Sequence, residues 1–390
     1  MKEYFYKREC KYMYLSTMSW GLANALIETF GTVMLYKSGI PIWLIFFIYG
    51  LRFFITGLCT PLFVIISSKL GIAKCILISN IFTIITAYMM LDGTNIYKNI
   101  IIFVIAMGFM GISNPSADAL SSKYIDKKHR GRFNSFINIT KILGQVMATC
   151  LVAWGVISNN NIILFIIISI FFLLQYILIK KIDYKVANKT QVFSASIRYM
   201  LKSKSRYKII YALRTSHIIE RQFVPLYLYI VLKDFKLFSS IIASSLLLQI
   251  ITITLIGKYS DSNISKSNNL VTIIKSIITG VFLFAKNKVV ITFNKALIDN
   301  FEKVYETSIQ TSIQNIIKES KESNELLSTV GQMSLCFTEV IVFFILAILS
   351  NFIGEKVFII IFILSIMSTI CININIKKQQ KLKKVYRRKK

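Results

Sequence analysis

The sequence predicts an all-α polytopic membrane protein, with about twelve transmembrane helices in two pseudo-symmetric bundles of six. The first observation is composition: 55% of the 390 residues are hydrophobic, and the mean hydropathy is +0.61. A water-soluble protein could not bury so much apolar surface. The second is that Ile162–Ile179 and Val357–Ile372 carry no charged residue over a length near one bilayer crossing. The third is a positional repeat between the two halves.

Hydropathy, charged borders and this repeat predict twelve membrane spans. The tenth and eleventh are weak by hydropathy alone and are included because the repeat requires them. The spans, numbered one to twelve in chain order, cover residues 12–36, 42–66, 76–91, 100–120, 133–157, 162–179, 209–232, 237–256, 270–285, 289–316, 326–350 and 357–376.

The distribution of Lys and Arg predicts the orientation. Of the 47 basic residues, 33 lie in the termini and in the loops on the same side of the membrane, and seven lie in the opposite loops. By the positive-inside rule, both termini are expected in the cytoplasm of a protein in the cell membrane. Nucleic-acid binding is the alternative explanation of the net charge of +29, but no aromatic-basic reading motif accompanies it. No nucleic-acid partner is therefore expected.

A basic, polar segment divides the chain. We predict a first bundle over residues 1–181, a cytoplasmic linker over 182–206, a second bundle over 207–376 and a basic tail over 377–390. The linker contains an amphipathic piece, Val192–Leu201, that suits anionic lipid.

The halves match one another at a constant shift of 193 residues, and the matches are positional rather than identical. Parallel six-helix repeats of this kind are typical of transporters. The shift aligns Gly21, Asn24 and Glu28 with Arg214, His217 and Arg221, and it aligns Val64 and Ser68 with Gly257 and Asp261.

Charge is tolerated in some spans and excluded from others. Spans three, six and twelve contain no Asp, Glu, Lys or Arg, and span nine contains only Lys275, which we expect to snorkel to the nearby membrane surface. Every remaining span except eight, which is polar without charge, carries an ionisable residue. This pattern predicts that spans three, six, nine and twelve face lipid and that the others surround a shared cavity.

Span ten carries the strongest site signal. Lys295, Asp299, Glu302 and Glu306 follow one another in steps of four, three and four, which places them on one helix face. Each charge at bilayer depth costs at least about 2.5 kcal/mol unless it faces water or a partner. This face is therefore expected to line a wet interior, with carboxylates that bind a cation or a proton. A helix lying at the membrane boundary is the alternative.

Similar polar faces occur on other spans, with basic groups mainly on spans two, five and seven and carboxylates on ten and eleven. A cavity divided in this way suits a solute with anionic and cationic parts, or an anion moved with protons. Static interhelical ion pairs, and a structural role for His217, are the alternatives. Glu339, Asp299, Glu302 and Glu28 are the proton-site candidates. The predicted cavity residues are Asn24, Glu28, Arg52, Lys141, Gln145, Arg214, His217, Arg221, Asp299, Glu302, Gln332 and Glu339.

The chain resembles the major facilitator superfamily over nearly its whole length. The signature loop of that family reads approximately G-x-x-x-D-[RK]-x-G-[RK]-[RK]. Gly257 and Asp261 match its first part, whereas the corresponding loop of the first half has Val64 and Ser68 at these positions. The resemblance implies two bundles around a central cavity, with spans three, six, nine and twelve at the periphery. An Asp at the end of a span can pair with neighbouring basic groups, so Gly257 and Asp261 are the predicted conformational latch.

We therefore expect a secondary active transporter that moves a small polar or charged solute by alternating access, coupled to protons and monomeric in the lipid bilayer. No enzyme activity, cofactor or metal is expected, because the six cysteines are scattered and neither paired metal ligands nor a nucleotide-binding loop occurs. A lipid-modifying membrane enzyme and a non-transporting sensor or scaffold with a transporter-like fold are the alternatives.

Overall fold

The computed structural model describes residues 8–28, 31–91, 96–124, 130–158, 161–182, 193–202, 206–262, 264–284, 287–318 and 324–388. Helices joined by short turns make up these ranges, and no strand occurs within them. The predicted all-α class is confirmed.

Helices occupy the positions of all six predicted spans in the first half. Their bounds are Arg8–Glu28 and Gly31–Lys37 in span one, Ile42–Cys59 and Leu62–Leu70 in two, Ile72–Leu91 in three, Ile96–Phe109 and Asn114–Tyr124 in four, Arg130–Ser158 in five and Asn161–Lys180 in six.

The second half follows the same order after a linker helix, Phe193–Lys202. The helix bounds are Arg206–Leu213 and Thr215–Leu232 in span seven, Phe235–Ser262 in eight, Ile264–Phe284 in nine, Lys288–Lys318 in ten, Asn324–Ile353 in eleven and Val357–Arg388 in twelve.

Among the described residues of both halves, four helical stretches are long and apolar enough to cross a membrane: Ile42–Cys59, Ile100–Ser121, Phe235–Ile253 and Asn324–Lys378.

Prolines mark two of the breaks within spans. Thr60 and Pro61 form a turn between the helices of span two, and Pro115 follows a 3-10 turn, Met110–Ser113, in span four. Proline lacks the N–H that a helix interior needs, so it favours such interruptions. Span seven breaks instead at Arg214, and its Pro225 lies inside a continuous helix.

Helix packing separates a lipid-facing set of helices from an interface set. Spans two and eleven pack extensively against each other across the halves, and so do spans five and eight. Spans three, six, nine and twelve make their extensive contacts within their own half. Large apolar side chains are exposed along all four of these peripheral helices, among them Ile81 on span three, Ile170 on span six, Ile273 on span nine and Ile363 on span twelve.

Three large apolar cores and one small cluster, Leu22 with Ala148, lie among the described residues. Two of them lie on the side of the bundle where the chain begins and ends, the terminus side, and each stays within one half: Cys10, Phe63 and Phe133 belong to the first and Tyr211 and Ile372 to the second. The third core, on the opposite side, contains residues of both halves. Apolar packing therefore joins the halves on the opposite side.

Lys275 of span nine does not snorkel, and that prediction was wrong. Its side chain is fully buried and points inward, where Nζ contacts carboxylates of Glu220 on span seven and Glu302 on span ten. Two carboxylates on neighbouring helices stabilise the ammonium more than the membrane surface, because they supply charge partners inside the bundle.

Spans one and five approach each other backbone to backbone. A Cβ atom added to Gly144 would lie 2.6 Å from the Leu22 nitrogen and closer still to the Met18 carbonyl oxygen. A Cβ added to Gly21 would overlap the backbone of Lys141 in the same way. Glycine at these positions therefore allows the contact that holds Lys141 beside span one.

Candidate functional site

A cavity of about 360 Å³ lies between the two halves. Its polar side chains come chiefly from spans one, two, four and five of the first half and from seven, ten and eleven of the second. A smaller cavity of about 60 Å³ lies beside it among spans five, seven, eight and ten. A solute in the larger cavity would contact both halves at once.

The predicted site residues whose side chains are described all line one of the two cavities. Arg52, Lys141, Arg214, His217, Gln332 and Glu339 line the larger, Gln145 and Asp299 the smaller, and Arg221 and Glu302 both. The side chains of Asn24, Glu28 and Asp261, and the surroundings of Gly257, lie outside the described part of the structure. The backbone of residues 257–261 is helical, since span eight continues to Ser262.

Arg52 of span two and Glu339 of span eleven bring opposite charges to the cavity from the two halves. Arg52 is 7% exposed, and its guanidinium lies 4.7 Å from the ring centre of Phe53 and 5.3 Å from that of Tyr49. Its Nε and Nη1 donate no hydrogen bond to the described residues. Glu339 is completely buried. Arg52 therefore retains donors for an anionic or carbonyl oxygen of a ligand.

Lys141 of span five contributes a second cation from the first half. Its Nζ lies 4.3 Å from the centre of the Trp20 ring on span one. A cation over an indole face is stabilised by the ring quadrupole, which offsets part of the desolvation of the buried ammonium. This side of the cavity therefore combines positive charge with an aromatic surface.

Hydrogen bonds join the halves on the terminus side. The buried Asp118 of span four accepts hydrogen bonds from Tyr211 Oη, at 2.5 Å, and from Gln310 Nε2. Asn134 of span five donates through Nδ2 to Thr311 Oγ1 at 3.0 Å, and its amide also pairs with that of Gln314. These hydrogen bonds hold the two halves together beside the cavity, on the terminus side.

Aromatic rings join the halves on the opposite side. The aromatic layer consists of Phe46, Tyr49, Phe53, Phe223 and Phe343. The rings of Phe46 and Phe223 stack with centres 4.4 Å apart, and those of Phe53 and Phe343 stack at 5.4 Å. Since Phe46 and Phe53 belong to span two, and the other two to spans seven and eleven, the layer closes the opposite side by apolar contact.

A buried charged cluster lies in the second half, next to the cavity. It consists of His217, Glu220, Glu302 and Lys275. The Lys275 Nζ lies 3.2 Å from Glu220 Oε2 and 2.6 Å from His217 Nδ1, and it also contacts Glu302 Oε2. Four ionisable side chains from spans seven, nine and ten thus meet at one point.

The other charges of the predicted inward face of span ten have partners as well. Glu306 lies 3.8 Å from Arg221 of span seven, and Asp299 pairs with Lys295 and accepts a hydrogen bond of 2.7 Å from Ser245. The predicted inward face of span ten is therefore observed. The Glu302–Lys275 pair joins two spans and matches the alternative of static interhelical ion pairs, whereas the Asp299–Lys295 pair lies within one helix.

Asp118, Glu220 and the inward-pointing Lys275 were missed as site residues. Asp118 is a lone acidic residue in a predicted span, and the cost of charge in lipid would have identified it. Glu220 lies three residues after His217 and therefore on the same helix face. For Lys275 the sequence did not indicate that the side chain points into the bundle, because that direction depends on partners in other helices.

A family model described as Major Facilitator Superfamily matches residues 12–292. No sequence among the curated proteins matches the chain.

Solved transporter structures align with nearly the whole chain. A variant of the E. coli fucose:proton symporter is 13% identical with a TM-score of 0.68, over 95% of this chain and 97% of that one. A bacterial homologue of the iron transporter ferroportin, outward-facing with soaked iron, is 13% identical with a TM-score of 0.64, over 95% and 98%. The nucleoside transporter NupG, also as a variant, is 14% identical with a TM-score of 0.64, over 95% and 99%. At these identities, the likeness shows the fold alone.

Proposed function

The chain belongs to the Major Facilitator Superfamily, and on that premise we propose that it moves a small polar or charged solute by alternating access. Membership indicates a multi-pass membrane transporter rather than an enzyme. The observation that carries the proposal is the cavity of about 360 Å³ lined by charged side chains of both halves. Because each half contributes to the same cavity, movement of one half against the other changes which side of the membrane the solute reaches.

The charges of the cavity support a solute with an anionic and a cationic or hydrogen-donating part. Arg52 and Lys141 supply positive charge from the first half, and Glu339 supplies negative charge from the second. The structural relatives include transporters of fucose with protons and of nucleosides. Sugars, nucleosides and zwitterionic amino acids are therefore the first solutes to test.

Proton coupling through Glu339 is part of the proposal. A carboxylate that is dry in one conformation and wet in another changes its proton affinity, which couples proton movement to the conformational cycle. The complete burial of Glu339 and its position on the cavity wall support this role. Asp299 and Glu302 remain second candidates, since both are held in ion pairs.

The excess of basic residues on the terminus side supports an orientation with both termini in the cytoplasm of a cell-membrane protein. In that orientation the aromatic layer closes the extracellular side, and the hydrogen bonds of Asp118 close the cytoplasmic side. A monomer is the proposed unit, because the cavity is complete within one chain.

A thermal-shift screen on purified protein tests solute binding. A solute that binds the folded state raises its melting temperature by mass action. We expect such a solute to stabilise the wild type but not Arg52→Gln. Arg198→Gln on the exposed face of the linker helix is the matched control and should keep the shift. An equal shift in all three proteins would show that the solute does not bind in this cavity.

A further inference from the structure

We propose that His217, Glu220 and Glu302 form a binding site for a divalent transition-metal ion, and that the Lys275 ammonium holds the metal position in this conformation. This site is additional to the solute-binding role of Arg52 and Glu339. Metal binding at this site does not require a proton gradient, and it can be tested before the solute is identified.

The distances between the donor atoms suit a metal ion. His217 Nδ1 lies 3.6 Å from Glu302 Oε2 and 3.8 Å from Glu220 Oε2, and the three donor atoms lie within 4.8 Å of one another. Tetrahedral ligands at about 2.1 Å from a metal are roughly 3.4 Å apart. Small side-chain rotations would therefore close the three donors around an ion. One imidazole nitrogen with two carboxylates suits zinc, cobalt, manganese or ferrous iron.

The protein already places a cation at the centre of these donors. Lys275 Nζ contacts all three, and it lies 5.2 Å from the centre of the Tyr305 ring. An ammonium has no lone pair, so His217 Nδ1 accepts this hydrogen bond and has its lone pair directed at the centre of the cluster. That lone pair is the one that a metal ion would use.

The Lys275 ammonium leaves some polar atoms of the cluster without a hydrogen bond. His217 is 6% exposed and Glu220 2% exposed, yet His217 Nε2 and Glu220 Oε1 form no hydrogen bond with the described residues. The other Glu220 oxygen accepts a hydrogen bond from Ser365 in addition to the lysine contact. Two carboxylates face the Lys275 ammonium within the cluster, and Arg214 of span seven lines the same cavity as His217 and Glu302. The cluster therefore has donor atoms that the lysine ammonium does not satisfy.

The larger cavity provides access to the cluster. His217 and Glu302 both belong to its wall. An ion that enters the cavity therefore meets two of the three ligands without crossing an apolar layer. Lys275 reaches the same three donors from span nine.

Cobalt titration of the full-length protein, in detergent, tests the site by calorimetry and by the visible absorption of the bound ion. We expect the wild type to bind Co²⁺. Lys275→Met removes the competing charge while keeping side-chain length, and it should tighten binding at least about tenfold. Glu302→Gln and His217→Gln should abolish it. Lys295→Met, which removes another buried lysine of the same half, is the matched control and should leave the affinity unchanged.

Several results would overturn the proposal, provided that melting curves show each variant folded. Absence of Co²⁺ binding in both the wild type and Lys275→Met would do so. Binding confined to Lys275→Met would do so as well, since Lys275 would then be a fixed counter-ion. Binding that survives Glu302→Gln and His217→Gln would place the ion elsewhere. None of these results depends on transport, so the solute proposal stands or fails separately.

Discussion

Tyr211 of the second half donates a hydrogen bond of 2.5 Å to the carboxylate of Asp118 in the first half. This contact and its neighbours hold the halves together on the terminus side through polar groups, whereas the aromatic layer holds them together on the opposite side. Opening the polar closure exchanges its hydrogen bonds for bonds to water, so each bond contributes only its net value, roughly 0.5–1.5 kcal/mol between neutral groups and roughly 1.5–3 kcal/mol to Asp118. Opening the aromatic layer exposes apolar rings. From this conformation, the terminus side should therefore open more easily.

Removing the Tyr211 hydroxyl should favour the state open to the terminus side. A hydrogen bond to a charged group contributes roughly 1.5–3 kcal/mol, so Tyr211→Phe should shift the equilibrium measurably. Cys336 is buried and lines the cavity. When the other five cysteines are replaced by serine, maleimide should modify Cys336 faster in Tyr211→Phe than in the protein that keeps Tyr211.

Tyr12→Phe is the control for this measurement. It removes a hydroxyl that accepts a hydrogen bond from Arg8 on the same helix, and it should leave the Cys336 rate unchanged. An unaltered rate in Tyr211→Phe would show that the contact with Asp118 does not hold the terminus side closed.

Shortening Phe343 should weaken the opposite closure. Its ring contacts Phe46 and Phe53 of the first half and Phe223 of the second. Phe→Ala in a packed core costs about 3–5 kcal/mol, and here part of that cost falls on the contact between the halves. We expect Phe343→Ala to make Cys336 reactive to a membrane-impermeant maleimide added on the opposite side.

Phe362→Ala provides a matched comparison. Phe362 is as buried as Phe343, but it stacks on Phe282 within the second half at 4.9 Å. It should lower thermal stability without exposing Cys336. Equal reactivity of Cys336 in the two variants would indicate general loosening rather than opening of the aromatic layer.

Adding one methyl group to Gly144 should destabilise the first half. The new Cβ would overlap the backbone of span one at Met18 and Leu22, and backbone cannot move aside as a side chain can. We expect the melting temperature of Gly144→Ala to fall by several degrees, consistent with about 1–3 kcal/mol for overpacking. Gly280→Ala meets only the Ile366 side chain at 4.0 Å and should melt like the wild type. Similar melting of both variants would contradict the close approach of spans one and five.

Neutralising Glu339 should separate proton coupling from solute movement. Glu339→Gln keeps the size of the side chain and removes its ability to release a proton. For a solute identified by the thermal-shift screen, the variant should lose uptake driven by a pH gradient but keep exchange of labelled for unlabelled solute. Unchanged pH-driven uptake would reject Glu339 as the coupling residue.

Local rules predicted much of the candidate site. Helical spacing alone brings Lys295, Asp299, Glu302 and Glu306 to one face, and the cost of charge in lipid determines that this face points inward. Both rules use only a residue and its near neighbours in the chain. They hold equally for the basic face of span seven, whose residues line the cavities as well.

The partners of these groups could not be predicted in the same way. Lys275 sits near one end of a predicted span, where snorkelling and inward pairing are both possible. Glu220 and Glu302, on two other helices, decide between them, and their approach depends on how spans seven, nine and ten pack. The same limit applies to Asp118 and Tyr211, which are distant in sequence and meet only when the two halves dock.

Uptake by reconstituted protein is the most direct test of the shared cavity as a transport route. Proteoliposomes under an imposed pH gradient would be offered labelled sugars, nucleosides and amino acids, with Arg52→Gln vesicles in parallel. We predict that at least one solute accumulates in wild-type vesicles, that a protonophore abolishes the accumulation, and that Arg52→Gln reduces it strongly. If no solute moves while a lipid of the vesicle is covalently altered, or if Arg52→Gln transports as well as the wild type, the account is contradicted.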